Sequence, residues 1–168
     1  MQRVMVSACL LGERVRHNGE HTQSHDSVLQ RWLHEGRVVP FCPEVAGGLP
    51  IPRPAAEIAG AMGGLNVLSG TGRVLNLNGG NVSAFFVAGA QQALEYAQRK
   101  SIRVAVLKEG SPSCGTSFIY DGTFTSRRVP GQGVTTALLR QAGIHVLNEF
   151  QFEEADRILT QLSQEVRP

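Results

Sequence analysis

The stretch VAVLKEGSPSCGTSFIYDG, Val104 to Gly122, combines the pattern of a buried strand with that of a cysteine-containing loop. Its first residues, Val104 to Leu107, form a short apolar run that is typical of a buried strand. The run ends in a segment of small residues and a proline that carries Cys114. A thiol just beyond a strand, rather than inside it, is placed to be reached by a ligand. The stretch therefore predicts a functional loop at the end of a buried strand.

The same pattern, a short apolar run followed by a loop with a cysteine, occurs twice more. RVMVSACLLGERV enters an apolar run at Val4, and Cys9 lies near the end of that run. RVVPFCPEVAGG contains a second run, and Cys42 lies where it breaks into a Pro/Gly-rich loop. Both runs predict buried strands that are followed by loops.

Helical patterns alternate with these strands. SHDSVLQRWLHEG has apolar residues at helical spacing, with plausible N-caps at Thr22 or Ser24 and a stop at Gly36. Further helices are predicted over residues 81–100, 133–143 and 152–166, with the strand IHVLNEF before the last of them. Alternating strands and helices predict an α/β fold, a three-layer Rossmann-like arrangement with a mainly parallel sheet. We expect residues 1–168 to form a single domain of this class.

Two segments predict small hairpins beside this sheet. GLNVLSGTGRVLNLNGG, residues 64–80, has the pattern of two short strands joined by Gly70 to Gly72 and predicts a small flap. FIYDGTFTSRRVPGQG, residues 118–133, alternates and contains the turn signal Asp121-Gly122, which predicts a hairpin or an extended arm.

Length and charge restrict the function classes. A chain of 168 residues buries enough apolar surface for one core without disulfides or metal as staples. The net charge of +2, from 16 basic and 14 acidic residues, indicates no general surface for long nucleic acid. No apolar run approaches the roughly 18 residues of a membrane span, and the N-terminal run lacks a secretory cleavage pattern. We therefore expect a cytoplasmic protein without a membrane partner.

Cys9, Cys42 and Cys114 each follow a different predicted strand. The carboxyl ends of parallel strands lie at one edge of a sheet, where ligands bind, so we expect the three thiols to converge. A reducing compartment and the odd number of cysteines argue against a structural disulfide. A single free cysteine usually packs in the core as a small apolar residue. Core packing does not explain why all three cysteines lie at the carboxyl ends of predicted strands.

Thiolates select zinc, copper(I) or iron-sulfur clusters. The cysteines are separated by 32 and 71 residues, without the paired spacing of a structural zinc site. A cluster held by three cysteines leaves one iron open as a Lewis acid, which favours a soft donor such as substrate sulfur. The residues also leave two alternatives, a zinc hydrolase with three thiolate ligands and a redox or metal-sensing module.

Four stretches carry the most specific patterns of the chain: VSACLLG, VVPFCPEVAGGLPIPRPAAEI, LKEGSPSCGTSFIYDGTF and PGQGVTTALLRQAGIHVLNE. Together they resemble the thiouracil desulfurases, a bacterial family formerly catalogued as a domain of unknown function. The resemblance implies a [4Fe-4S] cluster ligated by Cys9, Cys42 and Cys114. It also implies a non-redox reaction in which a thiouracil, or a thiolated uracil nucleoside or nucleotide, becomes uracil. The substrate's sulfur would bind the unique iron and leave as sulfide.

The resemblance further implies catalytic roles for an acidic residue and a serine, which correspond to Glu44 and Ser111. Glu44 lies two residues from Cys42, a suitable place for a general base that activates water. Its alternative role is an N-cap or an ion pair with Arg53. Ser111 is suited to relay a proton or to bond the ring, and its alternative role is to shape the turn before the following proline.

Arg53 and Ser113 are predicted to contact the substrate. Arg53 lies between two prolines on a stiffened extended segment, so its guanidinium is suited to balance a negative cluster or to bind a phosphate. An ordinary surface arginine is the alternative. Ser113 directly precedes Cys114 in the loop.

One loop departs from the family pattern. The family has an aromatic residue, an acidic residue and a glycine after Arg16, whereas this chain has His17-Asn18-Gly19. His17, His21 and His25 recur every four residues, but Asn18-Gly19 is typical of a loop. We therefore predict a solvated or substrate-contacting loop here rather than a metal site.

Overall fold

The structure is a computed structural model and describes residues 1–165. Strands and helices alternate along most of the chain, and short 3₁₀ turns follow β1 and β3. In chain order the elements are β1 (Val4–Ser7), α1 (Ser27–His34), β2 (Val38–Phe41), α2 (Pro43–Ala46), β3 (Ala56–Ile58), α3 (Gly64–Ser69), β4 (Val74–Asn76), α4 (Ser83–Arg99), β5 (Val104–Leu107), β6 (Phe118–Tyr120), β7 (Arg128–Pro130), α5 (Val134–Gln141), β8 (His145–Asn148) and α6 (Phe152–Glu165).

The central sheet has four parallel strands in the order β2-β1-β5-β8. Ser7 at the end of β1 pairs with Phe41 at the end of β2. Because all four strands run the same way, the loops after them meet at one edge of the sheet. The predicted parallel α/β fold is confirmed.

Helices cover both faces of the sheet, as predicted. On one face the valines of β1 and β5 pack against α1 and α6, where the Trp32 and Phe152 rings meet edge to face with centroids 5.7 Å apart. On the other face Met5, Ala105 and Leu107 pack against the small residues of α4 and against α5. Alternate residues of each strand thus face opposite layers, as a pleated strand requires.

Helix α1 begins later than predicted. Its N-cap is Asp26, whose carboxylate accepts a hydrogen bond from the Val28 backbone at 2.8 Å, so the predicted N-caps Thr22 and Ser24 were wrong. Aspartate fills an N-cap as well as serine does, and the side-chain bond satisfies an exposed backbone donor at the helix start. The predicted stop is correct, since Gly36 takes the left-handed conformation just after the helix.

The flap over residues 64–80 differs from its prediction. Residues 64–69 form helix α3 instead of a strand, while β4 pairs antiparallel with β3 rather than across Gly70 to Gly72. Gly64 lies so close to α5 that a Cβ there would be 2.3 Å from the Gly133 carbonyl oxygen. This close packing joins distant segments, so a local pattern does not indicate it.

The second hairpin is as predicted. Strands β6 and β7 pair antiparallel, with Ile119 opposite Val129, and residues 121–127 connect them. Helix α6 extends to Glu165, and Val166, the last residue of the predicted helix, lies outside the described residues. Within residues 1–165, no helix has the length and apolar character needed to cross a membrane.

Candidate active site

The three cysteines line one cavity of about 680 Å³ at the carboxyl edge of the sheet. Cys9 lies in the 3₁₀ turn after β1, and Cys42 directly follows β2. Cys114 lies in the loop between β5 and β6. The structure thus brings together thiols that are far apart in the sequence.

The protein environment alone disfavours ionised thiols here. Burial is the largest cause that raises the pKa of Cys9, Cys42 and Cys114. The thiols also act on one another, since Cys42 raises the pKa of Cys9 and of Cys114. A bound metal centre removes this penalty, because its positive charge deprotonates a coordinating thiol. The cavity therefore has the donor chemistry of a thiolate-ligated metal site.

The residues present fit a cluster with three protein ligands. All three cysteines are free thiols, and soft sulfur donors are the ligands of iron-sulfur clusters. Each cysteine of such a site ligates a different iron, so the sulfurs of a cluster site stand apart. Within residues 1–165, no three His, Cys, Asp or Glu side chains are gathered closely enough to hold a single metal ion.

Glu44 and Arg53 form an ion pair beside the thiols. The Arg53 Nη2 donates to Glu44 Oε2 at 3.1 Å, and also to the Val15 carbonyl oxygen at 3.0 Å. Arg53 is only 7% exposed, and within residues 1–165 its buried Nε has no acceptor. Both side chains line the cavity. The ion pair that the sequence offered as the alternative for Glu44 is formed, and the carboxylate still borders the cavity.

Ser111 and Ser113 occupy different positions around Cys114. Ser111 borders the cavity, and its Oγ accepts the Cys114 backbone N–H at 2.7 Å. Ser113 is 1% exposed, shares a hydrogen bond of 2.9 Å with the Thr135 hydroxyl and is not among the cavity-lining residues. Ser113 is therefore buried behind Cys114 and does not form part of the cavity wall.

Glu109 organises the Cys114 loop, a role that no sequence pattern indicated. Its buried carboxylate accepts hydrogen bonds from the backbone N–H and hydroxyl groups of Thr116 and Ser117, and from Asn148 at 2.8 Å. Burial would raise the pKa of Glu109, but the bonds from Thr116 and Ser117 outweigh it and lower the pKa to about 2. The positional rule used for the cysteines also applies to Lys108 and Glu109, because both directly follow β5.

The loop that departs from the family pattern carries three histidines, and His17 is the one that lines the cavity. Burial and then the Arg16 charge lower the pKa of His17, so this half-buried imidazole is neutral at neutral pH. Asn18, His21 and His25 are exposed and are not among the lining residues. As predicted, the segment is a loop.

Comparison with known proteins assigns the family. The sequence model of the 2-thiouracil desulfurase family matches residues 4–151, which is most of the 168-residue chain. The chain belongs to the 2-thiouracil desulfurase family. The predicted family and enzyme class are thereby confirmed.

Two relatives of this desulfurase extend the similarity. A Bacillus subtilis (strain 168) protein described as uncharacterized protein YbbK is 40% identical over 151 residues, which covers 90% of this chain and 98% of that protein. A solved structure described as a [4Fe-4S]-dependent thiouracil desulfidase, TudS, is similar with a TM-score of 0.87 and 43% identity. The match covers 96% of this chain and 99% of that chain, so the whole fold is shared.

Proposed function

We propose that the chain is a [4Fe-4S]-dependent desulfurase that hydrolyses the C–S bond of a thiolated uracil. Cys9, Cys42 and Cys114 ligate the cluster in this proposal. The observation that carries it is the convergence of these distant thiols on one cavity that Glu44 also borders. The [4Fe-4S] dependence of the solved relative, which is 43% identical over nearly the whole chain, supports the cofactor.

The reaction replaces sulfur by oxygen at one ring carbon. A thiouracil and water give uracil and hydrogen sulfide, without net oxidation or reduction. When bound, the cluster supplies an iron without a cysteine ligand, a Lewis acid suited to sulfur. The protein residues must orient the ring, hold the water and move its protons.

Glu44 is the proposed general base for the attacking water. Within residues 1–165, Arg53 is the only side chain that donates to this carboxylate, and it bonds Oε2. The other oxygen keeps acceptor capacity for a water in the cavity. A positioned carboxylate of this kind contributes roughly 10²- to 10⁴-fold to a proton-transfer step.

Ser111 and Arg53 are the proposed groups that contact the substrate. The Ser111 oxygen accepts the Cys114 N–H, which leaves the hydroxyl proton available for a ring atom or for departing sulfur. Arg53 lines the cavity, and its guanidinium is held by Glu44 and the Val15 carbonyl oxygen, so in this proposal its fixed positive charge faces the polar edge of the ring. Ser113 acts in this proposal through Cys114 and not on the substrate.

The proposed substrates are a thiolated uracil base, nucleoside or nucleotide. Long nucleic acid is not the expected partner, because the net charge is only +2. Three free thiols are best maintained in a reducing compartment, which favours the cytoplasm. The residues 1–168 are proposed to act as one domain.

A sulfide-release assay on cluster-loaded protein tests the proposal. Anaerobic reconstitution should give brown protein with about four irons and four sulfides per chain. This protein should release sulfide from a thiouracil, and a panel of 2-thio and 4-thio bases, nucleosides and nucleotides identifies the substrate. Zinc-loaded protein is assayed in parallel for comparison. Colourless zinc protein that performs the hydrolysis, or cluster-loaded protein that releases no sulfide from any compound, would contradict the proposal.

A further inference from the structure

One aromatic ring at the cavity has a position that packing does not explain. The aromatic residues that line the cavity are Phe41, Phe85, Phe86, Tyr120 and Phe124. The first four lie on β2, α4 and β6, where regular secondary structure places them. Phe124 lies on the loop between β6 and β7, and it is half-buried without an aromatic partner within residues 1–165.

The backbone at Phe124 is strained. Its φ of +58° is in the left-handed region, and Ser126 nearby has a φ of +60°. This region is uncommon for bulky residues, and such conformations persist only where the surroundings impose them, most often at ligand-binding sites.

Glu57 imposes this conformation from the neighbouring strand β3. Its Oε1 accepts the backbone N–H of Gly122 at 2.9 Å and of Phe124 at 3.2 Å. The Asp121 carboxylate holds the same loop from within, because it accepts the backbone N–H of Thr123 at 2.9 Å. Gly122 packs so tightly on β3 that a Cβ there would lie 2.6 Å from the Ile58 carbonyl oxygen. The loop is therefore fixed against β3 with the Phe124 ring at the cavity.

We infer that Phe124 provides the surface on which the planar pyrimidine ring stacks, and that Glu57 holds this surface in place. The inference rests on the proposed function, because it concerns the orientation of that substrate. Stacking on an aromatic ring suits a flat π-system and leaves the polar ring edge free. That edge is then available to Ser111 and Arg53, which also line the cavity. Phe124 is thus a substrate-contacting residue, and Glu57 is a positioning residue.

The positive φ at Phe124 makes it possible to remove the ring without changing the loop. Asparagine tolerates the left-handed region, so Phe124→Asn keeps the loop conformation while it removes the ring. The dissociation constant for uracil, measured by calorimetry on cluster-loaded protein, should rise roughly 5- to 150-fold, the range found when a base loses an aromatic stacking partner. The KM for 2-thiouracil should rise with it, while the melting temperature should stay equal or increase. Phe124→Tyr should retain wild-type affinity.

Two controls separate stacking from packing. Phe150→Asn changes an aromatic residue that is 84% exposed and not among the cavity-lining residues, so it should leave both constants unchanged. 5,6-Dihydrouracil lacks the planar ring, so wild-type protein should bind it more weakly than uracil, and Phe124→Asn should lose this preference. If Phe124→Asn lowers the melting temperature and leaves uracil affinity unchanged, the ring serves packing and the inference is wrong.

A double-mutant cycle tests the role of Glu57. Glu57→Gln keeps an acceptor oxygen for the two backbone N–H groups and should bind uracil nearly as wild type does. Glu57→Ala should weaken uracil binding, and should add little when Phe124 is already asparagine, because both changes remove the same contact. Fully additive effects would contradict the positioning role.

Sulfide release by the wild type and uracil binding by Phe124→Asn distinguish the proposed function from the stacking role. Wild-type protein in the same preparation is assayed for sulfide release from 2-thiouracil and the other thiolated uracils. An inactive wild type overturns the proposed function. An active wild type whose Phe124→Asn variant has unchanged uracil affinity overturns only the stacking role.

Discussion

The loops after β2 and β5 each carry a glutamate and one of the proposed cluster ligands, but the two carboxylates have different hydrogen-bond partners. Glu109, after β5, is surrounded by donors from Thr116, Ser117 and Asn148. Glu44, after β2, has Arg53 as its side-chain partner, and both glutamates line the cavity. A carboxylate whose acceptor sites are filled holds structure, whereas one with an open site is available to water. The comparison therefore supports the proposed roles, a structural one for Glu109 and proton transfer for Glu44.

Removal of a thiol should have the largest effect, because it removes one of the three proposed protein ligands of the cluster. Cys114→Ala should lose the iron-sulfur absorbance, the bound iron and all sulfide release. Ser113→Ala is the matched control, since its side chain is buried next to Cys114 and is not among the cavity-lining residues. It should retain the cluster. A Cys114→Ala protein with full iron content and full turnover would show that Cys114 does not ligate a catalytic cluster.

The Glu44→Gln variant tests the assigned base. It removes the proton acceptor while it preserves the size of the side chain, so kcat should fall roughly 10²- to 10⁴-fold with the cluster intact. Turnover is measured at equal iron content. Glu109→Gln is the comparison, and its loss of kcat should be much smaller. A Glu44→Gln enzyme that turns over at the wild-type rate would remove Glu44 from the mechanism.

Glu109→Gln should act on stability instead. The pKa of Glu109 lies at about 2, below its ordinary value of 4.5. A depressed carboxyl pKa stabilises the folded state above pH 4.5, and this stabilisation is lost as the pH falls toward 2. At neutral pH the ionised Glu109 contributes about 3 kcal/mol to the free energy of unfolding.

Urea denaturation between neutral pH and pH 3 measures this difference. Wild type should be more stable than Glu109→Gln at neutral pH, and the gap should narrow as the solution becomes acidic. A gap that stays constant with pH would show that the Glu109 charge contributes nothing to the loop.

Ser111→Ala should have the smallest effect. It removes the acceptor of the Cys114 N–H, a hydrogen bond worth about 1 kcal/mol, and a proton donor at the cavity. We expect kcat to fall about tenfold, which corresponds to roughly 1.4 kcal/mol. Ser111→Thr retains a hydroxyl and should recover most of the activity. If Ser111→Ala equals wild type in kcat and in cluster retention, the serine only shapes the turn.

The thiol positions could be predicted because they follow from a rule about whole strands. Three buried apolar runs, each followed by a cysteine, are visible in the sequence, and parallel pairing places Cys9, Cys42 and Cys114 at one edge. Glu109 follows its strand in the same way, but its role depends on a loop that folds back to bring Thr116 and Ser117 onto the carboxylate, and on Asn148, which is distant in the sequence. No local pattern indicates that pairing.

Other features depended on contacts that the sequence does not display. Gly64 packs closely on Gly133, and residues 64–69 form helix α3 where a strand was predicted. The Asp121-Gly122 turn signal predicted the hairpin correctly, but it did not reveal the positive φ at Phe124 or the hydrogen bonds that Glu57 accepts from the turn. Tertiary contacts of this kind override local propensity.

Mössbauer spectroscopy of the ⁵⁷Fe-reconstituted protein shows whether three thiolates hold a cluster with one open iron. Addition of sulfide should change the spectrum of about one quarter of the iron and leave the rest unaltered. A spectrum in which all irons respond alike, or in which none responds, would contradict a three-cysteine cluster with a single site for sulfur.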